Sequence, residues 1–162
     1  MLVVKGEAVP LQRIVLAIDG SDGSAKALNF VLDKFQPDRS IGKGGRVPIH
    51  ISVIHVTPRR PLAPFDVGTT IPWTKYRGLK EKEVSRKLLE QTVQRLTEAG
   101  FKVKPVSQPG NPAEKILKVT SQRHADLIVM GAKGLSGIDR FFLGSVSTRV
   151  VQRATCAVLV VR

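Results

Sequence analysis

Little sulfur, few aromatic rings and no long apolar run mark this chain of 162 residues. Its single cysteine, Cys156, cannot form an internal disulfide, and the opening MLVVKGEAVPLQR lacks the apolar core of a secretory signal, so the expected location is cytoplasmic. No apolar stretch approaches the roughly 20 residues that cross a bilayer, and runs such as IVLAI and AVLVV stop far short of it. Membrane insertion is therefore not expected. One Trp, one Tyr and six Phe leave few rings on which bases could stack. The chain also has no GxxxxGK[ST] loop and no clear second acidic residue for magnesium, which argues against fast phosphoryl transfer.

What is present is an ordinary globular composition with an unusual charge. Hydrophobic residues make up 42% and charged residues 24%, enough for a single domain with a real core and too apolar for disorder. The 26 Lys and Arg against 13 Asp and Glu give a formal charge of +13. Such an excess attracts anions without choosing among nucleotides, nucleic acid and acidic headgroups. Because the basic residues are scattered instead of forming a stripe interleaved with aromatics, a dedicated nucleic-acid function is disfavoured.

Strand-length apolar runs alternate with amphipathic ones. Residues 13–19 (RIVLAID) read as a strand buried on both faces, stopped by Gly20-Ser21-Asp22-Gly23. Residues 24–35 repeat apolar side chains at helical spacing until Pro37. After a polar, glycine-rich turn over 38–46, residues 47–57 return to strand character. Residues 58–76, with four prolines and Trp73, read as a long surface loop. A helix over 77–99 follows with Gly100 as its C-cap, then a strand over 101–106. A helix capped by Asn111 with Pro112 in its first turn runs to 124; a doubly buried strand at 125–131, a helix at 145–154 and a strand at Ala157–Val161 complete the chain. This βα alternation calls for a mostly parallel sheet with helices on both faces, whose ligands bind beyond the carboxyl ends of the strands where the strand order reverses.

The loops at those ends carry the chemistry. Glycines at Gly131, Gly134 and Gly137 let a backbone approach a phosphate, and Gly144-Ser145-Val146-Ser147 opens a helix whose free N–H groups favour an anion. Glycine-rich turns also occur for backbone reasons alone, so the pattern by itself leaves the two readings balanced.

The full spacing is more specific. Gly131-x2-Gly134-x9-Gly144-Ser145 resembles the ATP-binding pattern of the universal stress protein family, as do Ile14 to Asp19 followed by Gly20-Ser21, the Val53-Ile54-His55-Val56 strand, the Gly110-Asn111-Pro112-Ala113 turn and the apolar ending. The likeness covers residues 13–162, with residues 1–12 as an N-terminal extension. It implies an open, doubly wound α/β domain with a five-stranded parallel sheet in the order 3-2-1-4-5. It also implies an adenine-nucleotide site, with ATP bound alone or with Mg2+ or Mn2+ held by its phosphates. Ala17, Ile18, Asp19, Val56 and Met130 would face the base and ribose; Gly131, Lys133 and Gly134 would wrap the phosphates; Gly144, Ser145, Val146 and Ser147 would cap them. Lys133 departs from the His or Arg common in such loops, yet suits phosphate as a point charge.

Bland readings stand beside these. Asp19 could merely cap its turn, and His50 and His55 read as packed or half-exposed polar residues, with no Cys/His cluster to make them metal ligands. Cys156 reads as a small core hydrophobe and His124 as a helix-end residue. The resulting expectation is a nucleotide-dependent stress-response module; a slow ATPase, or a structural or anion-binding protein without nucleotide, are the alternatives. The terminal strand, Ala157–Val161, is expected at a sheet edge, where it would pair with its copy in a homodimer.

Overall fold

A computed structural model of the chain describes residues 1–3, 11–41, 45–58, 72–133 and 143–162. In chain order the elements are β1 (Leu2–Val3), β2 (Arg13–Ile18), α1 (Asp22–Lys34), β3 (Asp38–Ile41), β4 (Gly45–Pro48), β5 (His50–Thr57), α2 (Pro72–Glu98), β6 (Lys102–Pro109), α3 (Pro112–Gln122), β7 (Leu127–Gly131), α4 (Ser145–Arg153) and β8 (Ala157–Val161).

The main sheet has the order β1-β8-β7-β2-β5-β6. Its five parallel strands follow the expected 3-2-1-4-5 order, with β2 in the centre. Every residue of β2 after Arg13 is buried, as its unbroken apolar run requires of a strand covered on both faces. One core cluster joins Val15, Ile54, Ile128 and Val158 to Ile116 of α3 and Val150 of α4. The other joins Leu16, Val53 and Val129 to Val31 of α1 and Leu96 of α2. The strand order reverses between β2 and β7, so their carboxyl ends open a crevice.

Helix ends follow local chemistry. Ser21, in an extended conformation, accepts the Ser24 N–H and starts α1, while Asn111 accepts the Glu114 N–H and starts α3. Beyond α2, Gly100 (φ +91°) closes a Schellman turn in which its N–H reaches Thr97 O and the Phe101 N–H reaches Leu96 O. His124 takes the same place after α3 with φ +48°, an uncommon backbone for a residue other than glycine.

Three expectations are corrected. The helix expected from residue 77 begins at Pro72, whose missing N–H costs nothing in a first turn; Trp73 thus lies in α2, and residues 59–71 lie outside the described residues. Most of the turn expected over 38–46 forms the strands of a two-stranded antiparallel hairpin, β3–β4, which takes Val47 and Pro48 out of the following strand. Most consequentially, β8 is not an edge. β1 pairs antiparallel with it, Leu2 opposite Leu159 and Val3 opposite Val158, and the Met1 amino group donates to Val160 O at 2.8 Å.

Candidate functional site

The crevice at the carboxyl ends of β2, β5 and β7 holds a cavity of about 390 Å³. Ala17, Ile18, Asp19, Val56, Met130, Gly131, Lys133, Gly144, Ser145, Val146 and Ser147 all line it. Gly134 lies outside the described residues. The sequence missed further lining residues, among them Ser24, Ile54, His55, Pro58, Pro112 and Ile116. Pro112 and Ile116 enter because α3 begins over the crevice, a placement no local pattern reveals.

The cavity has two chemically different ends. Ala17, Val56, Met130 and Ile116 belong to the α3–α4 core cluster and give it an apolar wall. At the other end, α4 begins at Gly144 with no side-chain cap and no acid in its first turn. Its ladder starts with the Thr148 N–H to Gly144 O at 2.9 Å, so the earlier amides remain free of it. Ser145 is exposed, while Ser147 is 2% exposed and its hydroxyl lies 2.8 Å from Ala132 O and 2.9 Å from Gly144 O. With one proton to share between two carbonyls, Ser147 ties α4 to the loop after β7.

Asp19 does what its bland reading said and more. Its Oδ1 accepts the Ser21 N–H at 3.0 Å and the Ser21 hydroxyl at 2.6 Å. That hydroxyl also accepts the Ser24 N–H at 3.2 Å. Asp19 therefore fixes the cap of α1 while its carboxylate stays on the cavity wall.

The glycines have a packing reason besides the approach to phosphate that the sequence suggested. Neither Gly131 nor Gly144 is among the described glycines with positive φ, which are Gly20, Gly100 and Gly110. A Cβ on Gly131 would instead lie 2.7 Å from Gly23 O and 2.8 Å from its Cα, and a Cβ on Gly23 would lie 2.5 Å from Lys133 O. Backbone meets backbone there, so the start of α1 packs directly on the end of β7. Gly144 has more room, its Cβ position lying 3.3 Å from Ala132 O.

His55, expected to be packed or half exposed, is 8% exposed, and its Nδ1 has no hydrogen-bond partner among the described residues. Burial pushes its imidazole below the ordinary histidine value, with the Asp19 carboxylate pulling the other way. Among the described residues no group of three His, Cys, Asp or Glu could hold a metal, and no helix is long and apolar enough to cross a membrane.

Comparison with known proteins finds relatives of the same fold. The sequence pattern of the Universal stress protein family matches residues 10–162. Universal stress protein YxiE of Bacillus subtilis is 32% identical over 155 residues, spanning 93% of this chain and 98% of its own. The solved structure of the hypothetical protein MJ0577 superposes with a TM-score of 0.72 at 25% identity, over 94% of this chain and 96% of that one. Two more distant structures, at TM-scores of 0.56 and 0.59, share the fold: a universal stress protein in complex with cAMP (22% identical, 93% and 96% covered) and one from Arabidopsis thaliana with AMP bound (18% identical, 93% and 90% covered).

Proposed function

The chain belongs to the universal stress protein family, and from that premise we propose that it binds an adenine nucleotide, ATP in particular, in the crevice between β2 and β7. The carrying observation is the cavity's polarity: an apolar wall of Ala17, Val56 and Met130 suits a purine, and the uncapped start of α4 with Lys133 suits phosphates. The AMP and cAMP complexes of its structural relatives support the adenine part of this reading. Asp19, with Oδ1 held by Ser21, turns its remaining lone pairs toward ribose hydroxyls or a phosphate-held Mg2+ or Mn2+. Ser147 positions the α4 amides and does not donate to phosphate, since its proton serves buried carbonyls.

The output is regulatory, a nucleotide-dependent contact in a stress response, with at most slow hydrolysis. Asp19 is the sole carboxylate among the described residues that line the cavity, and burial lowers the His55 pKa and so weakens that imidazole as a base, which leaves no strong base ready for water. Turnover well below the enzyme median of about 10 per second is the expectation.

Calorimetric titration of the wild type and of Ser145→Asp tests the binding. An acid at this exposed first-turn position favours the helix by about 0.3–1 kcal/mol, so the fold is kept while phosphate is repelled. ATP affinity falls about tenfold or more, equivalent to at least about 1.4 kcal/mol. A folded variant that binds ATP like the wild type removes the α4 end from the site.

A homodimer through Ala157–Val161 is the assembly this reading carries, and β1 sets its condition. Residues 1–3 occupy the outer side of β8, so two β8 strands can meet only after β1 leaves. Light scattering on the full chain and on a chain lacking residues 1–9 decides this. A monomeric full chain and a dimeric shortened one are expected; two monomers end the proposal.

A further inference from the structure

The excess of positive charge is not spent in the nucleotide crevice, which has only Lys133 among its described lining. A second cavity of about 370 Å³ lies at the opposite, amino-terminal end of the sheet, lined by Arg13, His50, Ser52, Lys102, Lys104 and Arg123, and by no acid among the described residues. His50 and Val56 bracket the length of β5, which puts the two cavities about 20 Å apart at the usual rise per strand residue.

The register explains how the charges converge. His50 lies opposite both Arg13 and Lys102, and Ser52 lies opposite Lys104. Since side chains alternate across a sheet, these residues share the face that carries Val15, Ile54 and Val106, the face covered by α3 and α4. α3 ends at Gln122, and Arg123 follows it onto the rim. Lys102 and Lys104 stand two residues apart on one strand, about 6.6 Å, a like-charge pair that an anion would relieve. Asp126 is the nearby acid, and it is committed: its Oδ2 accepts the Gln12 and Arg13 N–H groups at 2.9 and 2.8 Å, and its Oδ1 lies 3.7 Å from the Arg13 guanidinium. Lys102, Lys104 and Arg123 have no ion pair among the described residues.

Ser52 adds a hydrogen-bond donor to the cations. It is 9% exposed, it lines this cavity, and its hydroxyl makes no hydrogen bond among the described residues. Open to the cavity and without a protein partner, the hydroxyl is available to donate to an acceptor that enters it. Charge on an edge strand such as β6 also deters strand pairing. That role, however, needs neither Ser52 nor the cations of Arg13 and Arg123, which come from elsewhere in the fold.

We propose that this cradle is a second anion site, which binds a small ligand bearing two or more phosphates through Lys102, Lys104 and Arg123, with Ser52 donating to a phosphate oxygen. The volume lies within the roughly 300–1,000 Å³ of small-molecule pockets, and the shape is a concavity instead of a track, which favours a small ligand over a nucleic-acid strand. The proposal stands whether or not the crevice at the other end binds ATP.

The test titrates the full chain with inorganic triphosphate and follows backbone amides by NMR. Saturable shifts are expected at residues 50–52, 102–104 and 123–125. Lys102→Glu combined with Lys104→Glu weakens the affinity read from those amides about tenfold or more, as loss of two charge-assisted contacts implies. Ser52→Ala weakens it by a smaller factor and keeps all charges, so its effect separates a built site from a diffuse field. Absence of saturable shifts at these amides, or equal affinity in the double variant, overturns the proposal. A single-stranded oligonucleotide that binds this face more tightly than triphosphate does would overturn it in favour of nucleic acid.

Discussion

Replacing Gly131 by alanine adds one methyl group where the backbone of α1 already touches that of β7. The new Cβ would stand 2.7 Å from Gly23 O and closer still to the Gly23 carbonyl carbon, against ordinary contacts that begin near 3.4 Å, so the two segments must separate by at least about 0.7 Å. Neither neighbour is a side chain that could rotate away. At an unstrained site, Gly to Ala would stabilise by about 0.4–1 kcal/mol through the unfolded state. Here overpacking of about 1–3 kcal/mol prevails, and the variant is less stable than the wild type. Because Gly23 and Gly131 lie beside Asp19 and Lys133, the same separation widens the crevice and weakens ATP binding. Urea unfolding measures the first effect, with an unchanged m-value showing that the transition is the same. Gly144→Ala is the control: its Cβ meets Ala132 O at 3.3 Å, and its loss is smaller. A Gly131→Ala chain as stable as the wild type would refute the backbone contact as the reason for this glycine.

His124→Gly should stabilise the protein by about 1 kcal/mol, because φ +48° at the C′ position after α3 suits glycine; an unchanged or lower urea midpoint contradicts it. Ser147→Ala should cost about 0.5–1.5 kcal/mol, the net worth of one hydrogen bond, because Ala132 O and Gly144 O keep the Gly144 and Thr148 N–H groups; a loss under a few tenths in the same assay would show the tie to be idle. The lowered pKa of His55 has a definite sign. Above pH about 6.5 the imidazole is neutral folded and unfolded alike, and stability does not depend on it. As pH falls below that value the unfolded chain takes up the proton first, so stability declines. His55→Leu should flatten the decline between about pH 6.5 and 5, and an identical slope in both proteins excludes His55 as its source.

The parallel sheet was legible because its central strands are continuous apolar runs punctuated by glycine and because Asn111 and Gly100 announce helix ends in their own chemistry. β1 was not legible: Leu2 and Val3 are too few to show a period, and only a partner strand distant in sequence gives them a conformation. The start of α2 was hidden among prolines, where Pro72 reads equally as loop and as first turn. At the crevice, the expected positions outside Gly134 meet on one cavity, but the reasons for some of them lay in tertiary contact. Gly131 answers to Gly23, which is 108 positions earlier. His55 is buried by neighbours that its alternating strand pattern could not name, and the basic cradle depends on the register of three strands.

A crystal structure grown with saturating ATP would test the central claim most directly. The expected result is one nucleotide per chain with its base against Ala17, Val56 and Met130 and its phosphates at Lys133 and the α4 amides of Ser145, Val146 and Ser147. An empty crevice at that concentration, or ATP held only elsewhere on the molecule, would contradict it.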